Sequence, residues 1–367
     1  MTESLADAGP AVALVKPAVR GQPAYTLVAR PSRRKLNQNE SPWDVPEALK
    51  REIVERAMAL PWNRYPEFVP AELLRRLAAA HMWHPDGILV GNGSNELIQA
   101  VLATTLAPGS TVVSGSPTFS LYRLLTNVFG GRYVPVALGR DFRYDMDALI
   151  QAATRERARV VVLNSPNNPT GSALPPDGVE RILESTDALV LCDEAYQDFG
   201  GPTAVPLLPS SPRVVVLRTF SKAFGLAGLR FGYALAHPVL AREIAKGKLP
   251  YNVNAITLAA AATLMEHAEI RTERIRALVA TRDRTVDRLR TISGITVYPT
   301  AANFVLLRCL RTPAREIFRR LLEDYGILVR DLSAASELQE CLRISIGTEE
   351  DMDAVVAALE QLAGSER

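Results

Sequence analysis

The sequence predicts an α/β protein with three parts: a large domain built on a mainly parallel central sheet flanked by helices, a smaller α+β domain, and an N-terminal arm. Three observations predict it. From about residue 45 to 255, short Val-, Ile- and Leu-rich runs alternate with helical patterns, as in a sheet buried on both faces. Residues 257–292 form one long helical pattern without Gly or Pro, Arg-rich from Arg271 onward, which could bridge two domains. Strands and helices then follow one another again in a shorter C-terminal stretch. The expected boundaries are 1–44 for the arm and part of the small domain, 45–260 for the large domain, and 261–367 for the interdomain helix and small domain.

Residues 1–35 carry several Pro and Gly and no clean periodicity, so they read as an arm that orders against something else. Within the large domain the predicted strands are Thr111–Ser114, Val160–Asn164, Leu189–Asp193, Val214–Arg218 and Gly232–Ala236, each a compact apolar run. Helical patterns cover Ala71–Met82, Asn95–Leu106 and Pro176–Ser185. After the long helix come strands at Asn303–Arg308 and Cys341–Ile346, with helices at Pro313–Tyr325 and Glu349–Leu362.

Composition excludes several classes. The 367 residues suffice for two domains, 47% are apolar and 22% charged, and the net charge of +2 implies no polyanion partner. The Arg33-Arg34-Lys35 run is too short for a nucleic-acid patch. Three cysteines (Cys192, Cys309, Cys341) fit neither a disulfide framework nor a metal spacing, so no metal is expected and the thiols point to a reducing, cytoplasmic setting. Ala11–Val15 is too short for a secretion signal, and Ile256–Met265 is far below a membrane span.

Four segments at predicted strand ends carry chemistry, where open α/β sheets place their ligands. Gly91-Asn92-Gly93-Ser94-Asn95-Glu96 precedes a helix, whose free N–H groups attract phosphate. It lacks the third glycine of a dinucleotide fingerprint and the Gly-Lys-Ser/Thr of a P-loop. Asn164 to Gly171, NSPNNPTG, follows a buried strand, and its prolines hold an amide rigidly. Asp193-Glu194-Ala195-Tyr196 puts a carboxylate at the tip of a buried strand, costly unless a cation partners it.

The fourth segment, RTFSKAFGLAGLRFGY (218–233), contains Lys222 among Phe220, Ala223, Phe224 and Leu226. The chain has only Lys16, Lys35, Lys50, Lys222, Lys246 and Lys248, arginine supplying the rest of its 42 basic residues. Alone, Lys222 reads as a surface lysine with its stem on apolar neighbours. An ammonium in such surroundings also has its pKa lowered and becomes nucleophilic. Amine, carboxylate, amide, phenol and phosphate cradle at neighbouring strand ends match pyridoxal 5′-phosphate, which needs a partner for its aldehyde, ring nitrogen, 3′-oxygen and phosphate.

With these residues the chain resembles the fold type I pyridoxal-phosphate aminotransferases, and among them most closely the histidinol-phosphate aminotransferases. The resemblance runs from about Leu36 to Leu362 through LNQNESP (36–42), RYP (64–66), GNGSNE (91–96), SPTFSLY (116–122), NSPNNPTG (164–171), DEAYQDF (193–199), the Lys222 segment, NFVLLR (303–308), GILVRD (326–331) and LRISIGTEED (342–351), in the family's order. It implies that Lys222 is the Schiff-base lysine and proton shuttle. It further implies that Asp193 keeps the pyridine nitrogen protonated and that Asn168 and Tyr196 hold the 3′-oxygen. Ser94, Asn95, Thr219, Ser221 and Arg230 would bind the phosphate, with Phe119 stacked on the ring. Tyr65 would reach the phosphate of a neighbouring subunit's cofactor, implying a homodimer with shared sites. Arg343 would fork a substrate carboxylate, Arg330 would meet the anionic end of histidinol phosphate, and Tyr25 would lie near that phosphate. Asn39 and Glu40 would close over the site. Asn95 stands where the family usually has Asp, and Phe119 where Tyr is common, so a hydroxyl contact is lost while stacking survives.

The implied reaction is a ping-pong transamination in which glutamate loads the cofactor and leaves as 2-oxoglutarate. A phosphate of about −1.5 to −2 charge suits a pair of arginines with a tyrosine. Arg330 with Arg343 therefore favours histidinol phosphate and imidazole-acetol phosphate, of histidine biosynthesis. The alternatives are an aminotransferase for aromatic amino acids and a decarboxylase of threonine phosphate. A non-enzymatic regulator would carry a DNA-binding domain ahead of the aminotransferase part, whereas residues 1–35 show no helix-turn-helix pattern.

Overall fold

The computed structural model describes residues 9–24 and 29–363. Its centre is a seven-stranded sheet of β1 (Ile88–Asn92), β2 (Thr111–Ser116), β3 (Arg132–Ala137), β4 (Val160–Asn164), β5 (Leu189–Asp193), β6 (Val214–Thr219) and β7 (Phe231–Ala236). The spatial order is β1-β7-β6-β5-β4-β2-β3. Strands β2 to β6 pair in parallel, and β7 runs antiparallel between β6 and β1. The near-continuous apolar runs are explained by burial on both faces. Val161 and Leu163 enter one core while Val160 and Val162 enter the core on the opposite face.

The five predicted strands are present, and β1 and β3 are additional. β1 merges into the glycine-containing turn that follows it. β3 is an edge strand with alternating exposure and Pro135 in its middle, which hides it from a search for apolar runs. Helices Glu47–Met58, Leu121–Val128, Met146–Arg155 and Pro238–Ala245 were likewise unmarked by long periodic patterns.

The long helical pattern is two helices, Ala255–Glu266 and Ala268–Arg290, separated at His267, whose ψ of 46° is not helical. The two pieces serve different cores. Ala260, Ala261 and Leu264 pack with the large sheet, while Leu278, Val286 and Leu289 pack into a second core. A single straight stripe could not face both, and the chain bends where His267 lies between Glu52 and Glu269.

The second core is built on an antiparallel sheet of β8 (Ile295–Val297), β9 (Phe304–Cys309), β10 (Arg330–Asp331) and β11 (Cys341–Ser345), ordered β10-β11-β9-β8. Arg34–Lys35 pairs in parallel with Ile327–Leu328. Leu36 then bonds Leu328 and Ser345 through its backbone and enters the second core. Leu36–Glu40 therefore runs between the two sheets, where the site lies. Among the described residues no helix is long and apolar enough to cross a membrane, and no cluster of metal-ligating side chains occurs.

Candidate active site

Parallel register brings Asn164, Asp193 and the end of β6 side by side at the C-terminal ends of β4, β5 and β6. Asp193 is buried there. Its Oδ2 accepts from the Tyr122 hydroxyl at 2.7 Å and its Oδ1 from the Ala195 amide at 3.1 Å. Burial raises its carboxyl above the usual range, a rise that these two donors and the Lys222 charge oppose only in part. Sequence reasoning assigned no role to Tyr122. Its signal was the last position of SPTFSLY, which the fold places on the first turn of Leu121–Val128.

Beyond β6, the turn bearing Lys222 is held by Phe220, whose ring stacks on Phe224 with centroids 3.7 Å apart, and by backbone bonds from Leu226 to Phe220 and from Gly225 to Lys222. Lys222 is half-buried. Its Nζ donates to the Gln38 carbonyl at 3.0 Å and lies 5.5 Å from the centre of the Tyr196 ring. Burial first, then the Arg343 charge, lowers its pKa from 10.5 to about 7. Near neutrality a large fraction of this amine is unprotonated and nucleophilic.

The turn after β4 is pinned by Asn167, whose amide donates to the Pro117 carbonyl at 2.9 Å and to Thr170 Oγ1 at 2.7 Å and accepts from Thr118. Its neighbour Asn168 faces the cavity, and its Oδ1 accepts from Arg343 Nη1. Arg343 Nη2 donates to the Asn37 carbonyl at 2.8 Å, so the guanidinium fork expected for a substrate carboxylate here spans two protein oxygens. The Tyr196 hydroxyl accepts from Asn39 Nδ2 at 3.0 Å. Burial raises the Tyr196 pKa, with Arg343 opposing it. Asn39, expected to close over the site, is fully buried in the left-handed region at φ 55° and tied to Ser345 and Asn303. Glu40 forms an ion pair with Lys35.

The helix Ser94–Thr105 starts directly behind Gly93, and its first two residues, Ser94 and Asn95, line the same cavity. Thr219 Oγ1 donates to Ser221 Oγ at 3.0 Å, and Arg230 Nη1 donates to Ser221 Oγ at 3.2 Å. A Cβ at Gly93 (φ 78°) would strike the Arg230 guanidinium. One at Gly232 would collide with the Ser94 amide nitrogen and lie 2.7 Å from the Gly93 carbonyl carbon. Two glycines thus let β7, the helix start and Arg230 converge closely enough to form an anion cradle.

The resulting cavity, of about 450 Å³, is lined by Asn39, Ser94, Asn95, Phe119, Asn168, Asp193, Tyr196, Thr219, Ser221, Lys222, Arg230, Arg330 and Arg343, and also by residues given no role from the sequence, among them Asn37, Gln38 and Leu332. Phe119 meets Tyr122 edge-on at 5.7 Å. Tyr65 is not among the lining residues; it is 80% exposed and stacks on Tyr251. Tyr25 lies outside the described residues. The donor set fits pyridoxal phosphate. A buried carboxylate lacking an ion-pair partner can receive a protonated ring nitrogen, a weakly basic amine can receive an aldehyde, and the cradle can receive a phosphate.

The family described as aminotransferase class I and II matches residues 34–359. The histidinol-phosphate aminotransferase of Chlorobaculum tepidum is 37% identical over 329 residues, 89% of this chain and 94% of that one. That of Caldanaerobacter subterraneus is 34% identical over 95% of this chain and 98% of its own. Among solved structures, the histidinol-phosphate aminotransferase of Sinorhizobium meliloti in complex with pyridoxal-5′-phosphate superposes with a TM-score of 0.85 at 28% identity, covering 95% of this chain and 96% of that one.

Proposed function

Because the chain belongs to the class I and II aminotransferases, we propose that it transfers an amino group between glutamate/2-oxoglutarate and histidinol phosphate/imidazole-acetol phosphate, as in histidine biosynthesis. The observation that carries the substrate reading is the placement of Arg330 directly opposite Arg343 on neighbouring strands, both lining the cavity. Like charges in that position repel. The Arg330 side chain has no hydrogen-bond or ion-pair partner among the described residues, so an anion of more than one charge would suit the cavity where it stands opposite Arg343. A phosphate of about −1.5 to −2 charge supplies it.

When bound, pyridoxal phosphate supplies an aldehyde that exchanges amines and a ring that draws electron density from the substrate Cα. Around it, Lys222 Nζ would form the protein's bond to the aldehyde and, once displaced, carry the proton to and from Cα. Asp193 would hold the positive ring nitrogen, with Tyr122 fixing the carboxylate. Asn168 and Tyr196 would bind the 3′-oxygen, and Phe119 would cover the ring face. Ser94, Asn95, Thr219, Ser221 and Arg230 would hold the phosphate. Asn39, which lines the cavity and donates to the Tyr196 hydroxyl, would steady Tyr196 and face the substrate.

Two-fold dimerisation belongs to the same reading, with Tyr65 reaching the neighbouring subunit's cofactor and its exposure supporting that role. So do the division at residues 45 and 261 and a reducing, cytoplasmic setting, the latter supported by three buried, unpaired thiols.

The test is a half-reaction screen. Protein loaded with cofactor is mixed with single amino donors, and loss of cofactor absorbance is followed. Rapid conversion by histidinol phosphate and slow conversion by phenylalanine is expected; the reverse order would replace this reading with the aromatic one. Arg330→Ala should lower kcat/KM for histidinol phosphate about 100-fold and for glutamate far less. Equal losses would remove the phosphate argument. The cradle has its own test. Gly232→Ala should weaken cofactor binding at least tenfold by displacing the Ser94 amide, read by fluorescence titration of the apoprotein. Gly228→Ala, where a Cβ meets nothing within 4 Å, should leave it unchanged.

A further inference from the structure

After β3 the chain makes a tight turn at residues 139–143, closed by backbone bonds from Gly139 to Arg143, Phe142 to Gly139 and Arg143 to Arg140. Asp141 and Phe142 are consecutive non-glycine residues in the left-handed region, with φ of 56° and 57°. A bulky aromatic is an outlier there, and such strain persists only where the surroundings over-determine it. What holds it is the other sheet. The Phe142 ring meets Tyr298 edge-on, with centroids 4.8 Å apart, and packs against the cluster of Tyr298, Leu306, Leu338 and Cys341.

Leu332 packs against that same cluster and also lines the substrate cavity. It sits two residues after Arg330, with its amide bonded to the Cys341 carbonyl at 3.1 Å. A residue of the large-sheet side thus braces, from outside, the short segment that carries Arg330 and Leu332 into the cavity. Nothing in the cofactor machinery uses this turn.

We infer that Phe142 is a specificity-determining positioning residue, whose contact with the Tyr298 cluster sets where the Arg330–Leu332 segment stands over the substrate cavity. The inference rests on the proposed contact of Arg330 with the phosphate. Glutamate, whose α-carboxylate engages Arg343 on the central strand β11, depends on the brace much less. The strained turn makes the brace short and stiff, so the segment is fixed to the large sheet rather than riding freely on the small one.

The experiment compares kcat and KM for both half-reactions in Phe142→Ala, Phe142→Leu and Arg330→Ala, together with melting temperature. Phe142→Ala is expected to raise KM for histidinol phosphate about tenfold, with KM for glutamate within about twofold and the cofactor spectrum unchanged. Phe142→Leu, which keeps an apolar contact, should recover most of that loss and carries the test if the alanine variant does not fold. A lower melting temperature with both KM values unchanged, or both raised equally, would overturn the inference. If Arg330→Ala is selective for histidinol phosphate and Phe142→Ala is not, Phe142 alone has been misread. If Arg330→Ala is not selective, the phosphate reading fails and the inference falls with it.

Discussion

Replacing Lys222 by alanine is expected to lower transamination at least about 10⁴-fold while leaving the cofactor bound by its phosphate and ring contacts. Two proposed roles would disappear together, the covalent attachment and the proton transfer at Cα, and no second primary amine could take them over: the other lysines are Lys16, Lys35, Lys50, Lys246 and Lys248, none of which lines the cavity. Single-turnover absorbance with glutamate measures the loss; turnover within about tenfold of the parent would refute the assignment. The amine also dictates a pH dependence. With its pKa lowered from 10.5 to about 7, the amine in apoprotein should react with added pyridoxal phosphate faster as pH rises through about 7, then level off. The linkage has a definite sign. Between about pH 7 and 10.5 the unfolded chain binds the proton that the folded one has released, so stability gains with pH across that window. Below it, both states are charged and burial of the ammonium costs its full penalty. Lys222→Met apoprotein should therefore melt above the parent at pH 6, with the gap narrowing toward pH 10.

Asp193→Asn should cost about 10³-fold in kcat, comparable with removing one preorganised charge partner from an active site. An amide keeps the shape and can still bond Tyr122, but it cannot balance a cation on the ring nitrogen. The buried carboxylate accepts from Tyr122 and Ala195 and has no ion-pair partner among the described residues, so under the proposed function a protonated ring nitrogen would be its cation. Weaker cofactor binding and an altered cofactor spectrum should accompany the loss. Tyr122→Phe should fall between parent and Asp193→Asn, since it removes one donor while leaving the charge. A variant at Asp193 with parental kcat and spectrum would show that the ring nitrogen is held elsewhere.

Much of this architecture was legible because burial on both faces writes itself as uninterrupted apolar runs. Val160–Asn164 and Leu189–Asp193 were readable to the residue. Edge strand β3 was not, because half-exposure and Pro135 dilute the pattern. The break at His267 was invisible for another reason: no residue there forbids a helix, and only the need to face two cores bends the chain. At the site, residues offering side-chain chemistry at strand ends stood out, and Lys222, Asp193 and Asn168 do line one cavity. Groups that act through backbone or through a third residue did not. The Gln38 carbonyl, the support of Asn168 by Asn167, and the Tyr122 hydroxyl depend on tertiary approach across the chain, which no local pattern encodes.

The segment Leu36–Glu40 has a consequence for how the protein is made. Asn39 is translated 306 residues ahead of Ser345, yet Leu36 and Asn39 are fastened by Ser345, and Arg343 holds the Asn37 carbonyl. The carbonyl that receives the Lys222 amine belongs to the same five residues. A ribosome must therefore release β11 before this stretch can dock, so a nascent protein that has already formed its large sheet still presents an unfinished site. Stable capture of the cofactor should be a post-translational event, and truncation before β11 should yield a chain that folds in part and holds no cofactor.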